Sequence, residues 1–114
     1  MSESIADAAT LEGIAADIEK TAQEEVRAAE TVREIADERQ ENRSWREITS
    51  DGTPKAVLAL LGTSLQRLRS DTGALRRLVM KGLSEEGLTV RQIGELFRVS
   101  HQRISAIIGG RNKS

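Results

Sequence analysis

From Glu3 to about Glu41 the chain runs without a proline and with a single glycine, Gly13, while alanine, glutamate and arginine recur throughout. These residues favour helix, so the run predicts one continuous helix, about 57 Å long if straight. Leu11, Ala15, Ile18, Ala22, Val26, Ala29, Val32 and Ala36 fall on one stripe of that helix, at spacings of three and four. The stripe is narrow and alanine-rich, which lets another helix approach closely but supplies less apolar area than leucine would. An isolated helix of this kind is marginal in water. Its stripe is therefore expected to pack on the rest of the chain or on its twin in a dimer. Two further roles stay open: a docking arm for another protein, and an acidic shield over the remaining residues.

The 114 residues include one Trp, one Phe, no Tyr and one Pro, so a core must be built from Leu, Ile, Val and Ala, without the alternating β-branched and aromatic runs of strands. The expectation is an all-α protein. With no cysteine and a single histidine, His101, disulfides, thiol nucleophiles, cysteine zinc sites and two-histidine metal sites are excluded. No cofactor is implied, and no set of nucleophile, base and orienter suggests an enzyme. The apolar stretch "AVLALLG" is far below the ~20 residues that cross a bilayer. The start "MSESIADAA" lacks the basic-then-apolar pattern of a secretory signal. A cytoplasmic protein with no membrane association is expected.

The net charge of −1 conceals a division. Residues 1 to 41 carry twelve acidic and four basic side chains, a balance of −8, whereas residues 42 to 114 carry six acidic and thirteen basic, a balance of +7. Two regions follow from this, an acidic amphipathic helix over residues 1 to 43 and a basic helical domain over residues 44 to 114. Such asymmetry points to nucleic acid, although a solvated charged face is the commoner origin of any one charge run.

The basic region closes with "TVRQIGELFRVSHQRISAIIG", residues 89 to 109. Thr89 is a good N-cap, and "VRQIGELF" gives a short helix with Ile93 and Phe97 on one face. Ser100 is a second N-cap, and "HQRISAII" places Ile104, Ile107 and Ile108 on one side until Gly109 and Gly110 end it. This stretch resembles the bacterial helix-turn-helix signature, with Ile93, Gly94, Arg98, Val99, Ser100, Ile104 and Ile107 in its characteristic places. The wording is close to that of small actinobacterial helix-turn-helix regulators and of the promoter-reading end of sigma factors. It departs at Arg98, where the turn usually has glycine; a positive φ there would disfavour a side chain by roughly 1 kcal/mol or more.

The resemblance implies a second helix entering the major groove of double-stranded DNA. Ser100, His101, Gln102, Arg103 and Ser105 are then the candidates for base readout, with Gln102 suited to adenine and Arg103 to guanine. Thr89, Arg91, Arg98, Arg111 and Lys113 are the candidate phosphate contacts, supplying affinity without sequence information.

An earlier stretch, "SWREITSDGTPKAVLALLG" at residues 44 to 62, echoes this one. With two residues missing from the first copy, Trp45 and Ile48 align with Val90 and Ile93, Val57 with Ile104, and Ala59-Leu60-Leu61-Gly62 with Ala106-Ile107-Ile108-Gly109. The outer positions differ: Pro54, Lys55, Ala56 and Leu58 answer His101, Gln102, Arg103 and Ser105. The first copy reads as a degenerate repeat kept for packing, with Leu58 expected against the acidic helix or a second subunit. Between the copies, Thr53 and Pro54 predict an N-cap and first turn. A stripe of Val57, Leu61, Leu65, Leu68, Leu75, Val79 and Leu83 follows, with a break at "SDTG", residues 70 to 73, where Asp71 would cap a new helix.

The sequence therefore predicts a long acidic N-terminal helix and a helical core ending in a C-terminal helix-turn-helix. The expected function is sequence-specific binding of double-stranded DNA by a dimeric transcriptional regulator. The alternatives are an adaptor that binds a toxin, a sigma factor or polymerase, and an architectural nucleoid or phage protein.

Overall fold

The computed structural model describes residues 2 to 109, and these are all-helical. Five helices follow one another: α1 (Ser2–Gln40), α2 (Trp45–Thr49), α3 (Thr53–Glu85), α4 (Val90–Phe97) and α5 (His101–Gly109). No helix among the described residues is long and apolar enough to cross a membrane. The helices build two compact units. One is Glu12–Asp71; the other joins the described residues up to Leu11 with those from Thr72 onward. Each takes residues from both sides of the 43/44 division read in the sequence.

In the Glu12–Asp71 unit, α1 and α3 run antiparallel. Asp17 bonds to Asp71, Glu24 to Arg67, and Ala28 and Val32 share a groove with Leu61, so rising numbers on one helix meet falling numbers on the other. The inward line of α1 is Ile14, Asp17, Thr21, Glu24, Ala28, Thr31, Ile35 and Glu38, and that of α3 is Thr53, Val57, Leu60, Ser64, Arg67 and Asp71. Both alternate steps of three and four, the spacing of a coiled-coil seam. Much of this seam is polar. Thr21 and Ser64 are buried, and neither hydroxyl has a hydrogen-bond partner among the described residues. Arg67 Nη1 donates to Glu24 Oε1 at 2.6 Å.

This arrangement corrects two expectations. The stripe read on α1, Leu11 through Ala36, is exposed along its whole length, because the line that faces α3 is rotated from it by about a third of a turn. Among the described residues it packs on no other part of the chain, which leaves a twin in a dimer as the expected cover. On α3 the expected stripe is likewise exposed at Leu61, Leu65, Leu68, Leu75 and Val79, and only Val57 is buried. Leu58 stands 71 % exposed rather than lying against α1.

The expected break at residues 70 to 73 is also absent. α3 continues through it as one helix, and Asp71 is an interior helical residue whose carboxyl turns to Asp17 instead of capping. The start of α3 is shifted by one position. Thr53 is the first helical residue; its N–H donates to the Asp51 carboxylate at 2.9 Å, and the Gly52 carbonyl accepts the first helical bond from Ala56.

The repeat is deeper than its apolar spacing suggests. At the end of α1 the Arg43 N–H reaches the Glu38 carbonyl and the Asn42 N–H reaches that of Arg39. At the end of α3 the Leu88 N–H reaches the Leu83 carbonyl and the Gly87 N–H that of Ser84. These are two Schellman endings in the same register. Two residues after each left-handed position a capping box opens the next short helix, Ser44 with Glu47 before α2 and Thr89 with Gln92 before α4. Inside those helices the aligned residues Ile48 and Ile93 are both buried, as are Val57 and Ile104 beyond them.

Candidate nucleic-acid interface

In the unit that contains α4 and α5, Met80, Ile93 and Ile104 form the fully buried centre, ringed by Leu83, Leu88, Val90, Val99, Ile107 and Ile108. One core residue comes from each of α3, α4 and α5, so the two short helices are held against the end of α3 by burial rather than by their own length. Phe97, expected on the inner face beside Ile93, is instead 40 % exposed at the end of α4, next to the more exposed Leu96.

The link between α4 and α5 is tight because of two residues. Arg98 lies in the left-handed region, φ 57° and ψ 47°, and its N–H and that of Val99 both reach the Gly94 carbonyl. A left-handed residue reverses the chain within one step, and for a side-chain-bearing residue it costs roughly 1 kcal/mol. Gly94 is the counterpart. A Cβ at this position would stand 2.6 Å from the Val99 carbonyl oxygen and 3.4 Å from the His101 ring. Here the close approach is of the turn's backbone to α4, so no side chain can move aside to relieve it.

α5 begins at this turn. The Ser100 hydroxyl accepts from the Arg103 N–H at 3.2 Å, capping the helix, and Ile104 turns inward. Ser100, His101, Gln102, Arg103 and Ser105 are consequently all exposed along the first turns of α5. They form one polar surface with two side chains, Gln102 and Arg103, long enough to reach a base edge. Ser100 is engaged in capping, which uses one acceptor site of its hydroxyl and leaves its O–H to donate outward. His101 rests its ring near Gly94, giving it a packing role in addition to its exposed edge.

The candidate phosphate contacts are dispersed around this surface. Thr89, Arg91 and Arg98 are exposed, but the Thr89 hydroxyl accepts from the Gln92 N–H at 3.1 Å and serves as a cap. Arg91 lies 3.8 Å from Glu95 one turn on, both largely exposed, a contact of small energetic weight. Arg111 and Lys113 fall outside the described residues.

Sequence reasoning missed the polar seam of the other unit altogether. The three-four spacing of Asp17, Thr21, Glu24 and Thr31, and of Ser64, Arg67 and Asp71, was its only signal, and it is masked by stronger apolar spacing one position away. No protein-family model, curated protein or solved structure matches the chain.

Proposed function

We propose that this chain is a sequence-specific double-stranded DNA-binding protein, acting as a dimeric transcriptional regulator, and a binding protein rather than an enzyme. One observation carries the reading: a short helix set by the close approach of Val99 to Gly94 and by the Met80–Ile93–Ile104 core offers five polar side chains to solvent at its N-terminal end. That is the presentation a helix-turn-helix requires of its recognition helix. Gln102 and Arg103 read bases; Arg91 and Arg98 hold phosphates on either side.

Selection of bound duplexes from a random pool tests both parts of the proposal. An enriched motif supports sequence-specific readout. Binding without enrichment, falling steeply with salt, would indicate an architectural protein. A second reading, an adaptor for another protein, is favoured by the exposed Leu96 and Phe97 at the end of α4; it predicts no duplex binding even at low salt.

A further inference from the structure

The antiparallel α1–α3 pair has a face that its own contacts leave uncovered. Ile18, Val26 and Val32 of α1 are 38 %, 62 % and 49 % exposed, and Leu58, Leu61 and Leu65 of α3 are 71 %, 37 % and 57 % exposed. Both sets lie about a third of a turn from the inward line, and because the helices run in opposite directions the two rotations bring them to the same side of the pair. A shallow groove of about 340 Å³ marks where they meet, lined by Ala28, Ala29 and Val32, flanked by Glu25 and Arg33, from one helix and by Leu61 from the other. Steps of three and four separate Leu58, Leu61 and Leu65, the repeat that seats a facing helix.

We propose that this face is covered by a second copy of the same chain, making a four-helix bundle from two α1–α3 pairs. The proposal deepens the dimeric reading above by naming its interface. Two arguments select a second copy over another partner. The first is the weakness of the pair alone: within Glu12–Asp71 the buried apolar side chains are only Ala28, Ile48 and Val57, while Thr21 and Ser64 bury polar atoms. A helix pair with so little apolar burial needs its cover whenever it is folded, and the chain's own copy is always present.

The second argument is charge. On the outer edge of the face α1 carries Glu12, Glu19 and Arg33, and α3 carries Lys55 and Arg69, all exposed. A two-fold axis parallel to the helices sets α1 of one copy over α3 of the other, and because Asp17 lies level with Asp71 it brings Glu19 level with Arg69 of the second copy. The alternative axis, across the helices, sets α3 on α3 and gathers Lys55 and Arg69 of both copies on one edge. The Glu19–Arg69 juxtaposition favours the first arrangement. The face is two helices wide, about 20 Å, and about 30 Å long, on the scale of the ~800 Å² per partner that a stable interface buries.

Sedimentation equilibrium of the full chain, without DNA, measures assembly independently of DNA binding. The expected mass is twice the 12.5 kDa chain. Leu58→Glu with Leu65→Glu should yield the monomer, and Leu96→Glu, in the other unit, should leave the dimer intact. Because the double variant could lose its fold with its partner, a spin label on Leu61→Cys, in a chain with no other cysteine, gives a second readout. Coupling between copies at the spacing of adjacent helices, about 10 to 20 Å, is expected. A monomeric wild type, a dimer that survives both glutamates, or the absence of coupling at position 61 would overturn the interface. A dimer that binds no duplex would overturn the DNA reading alone.

Discussion

Asn42 and Gly87 end the two long helices in the same left-handed conformation, φ 70° and 105°, each followed by a residue that bonds back to the carbonyl five before it. The backbone demand is the same at both places, and only Gly87 meets it without a Cβ penalty. Gly87→Ala should therefore destabilise the fold by about 1 kcal/mol or more, whereas Asn42→Gly should be neutral or slightly stabilising, because asparagine tolerates this region better than most residues. Urea melts of the two variants compare them directly; equal losses would mean that the two endings are not equivalent.

Gly94→Ala places a methyl group where the Val99 carbonyl oxygen already stands. Relief requires moving the turn itself, so a loss of about 1 to 3 kcal/mol is expected, together with misplacement of α5. Duplex affinity should fall by more than the helical circular dichroism signal, since α1 and α3 supply most of the helix.

Arg98→Gly separates strain from charge. Removing the side chain from a left-handed position should raise stability by about 1 kcal/mol. If Arg98 holds a phosphate, the same change weakens binding on all duplexes alike and flattens the plot of log affinity against log salt by about one unit. A change of preferred sequence would instead assign Arg98 to base readout.

Gln102→Ala and Arg103→Ala should each cost about 1 to 3 kcal/mol on the selected site with little effect on melting, because both side chains are exposed. Ser100→Ala should behave differently, losing about 1 kcal/mol of stability through the cap to Arg103 even where no DNA is present.

The Asp71 carboxyl is held above the usual carboxylate range, first by its hydrogen bond with Asp17, with burial and the Asp17 charge adding to the shift and Arg67 opposing it. The folded chain thus holds this proton more tightly than the unfolded chain does. The contribution favours folding below the ordinary Asp pKa and is lost as pH rises through the raised value. Asp71→Asn keeps a donor for Asp17 without the charge, so it should raise the melting temperature near pH 7 and lose that advantage near pH 3. A gain of equal size at both pH values would locate the effect outside the carboxyl pair.

What was legible in the sequence was local. The caps at Thr89 and Ser100, the small residue at Gly94 and the inward isoleucines Ile93 and Ile104 are dictated by nearest-neighbour geometry, and each stands where its spacing put it. The break at Asp71 failed because capping chemistry and a distant partner competed for one carboxyl, and only the fold reveals Asp17 opposite it. The stripes failed for a related reason. Apolar spacing identifies the side of a helix that avoids water, but the side that meets its antiparallel neighbour here is largely polar. No periodicity within one segment states which helix will cover it.

The polar seam has a consequence for alignment along the helices. A seam of leucines is nearly degenerate under a slip of seven residues, since each heptad presents the next with much the same surface. Glu24 and Arg67 are not interchangeable with their neighbours a heptad away: the residues seven before and after Arg67 are Leu60 and Ala74. Sliding α3 along α1 by one heptad would leave the Glu24 carboxylate without its guanidinium. The pair trades some strength of attachment for one permitted alignment of α3 along α1.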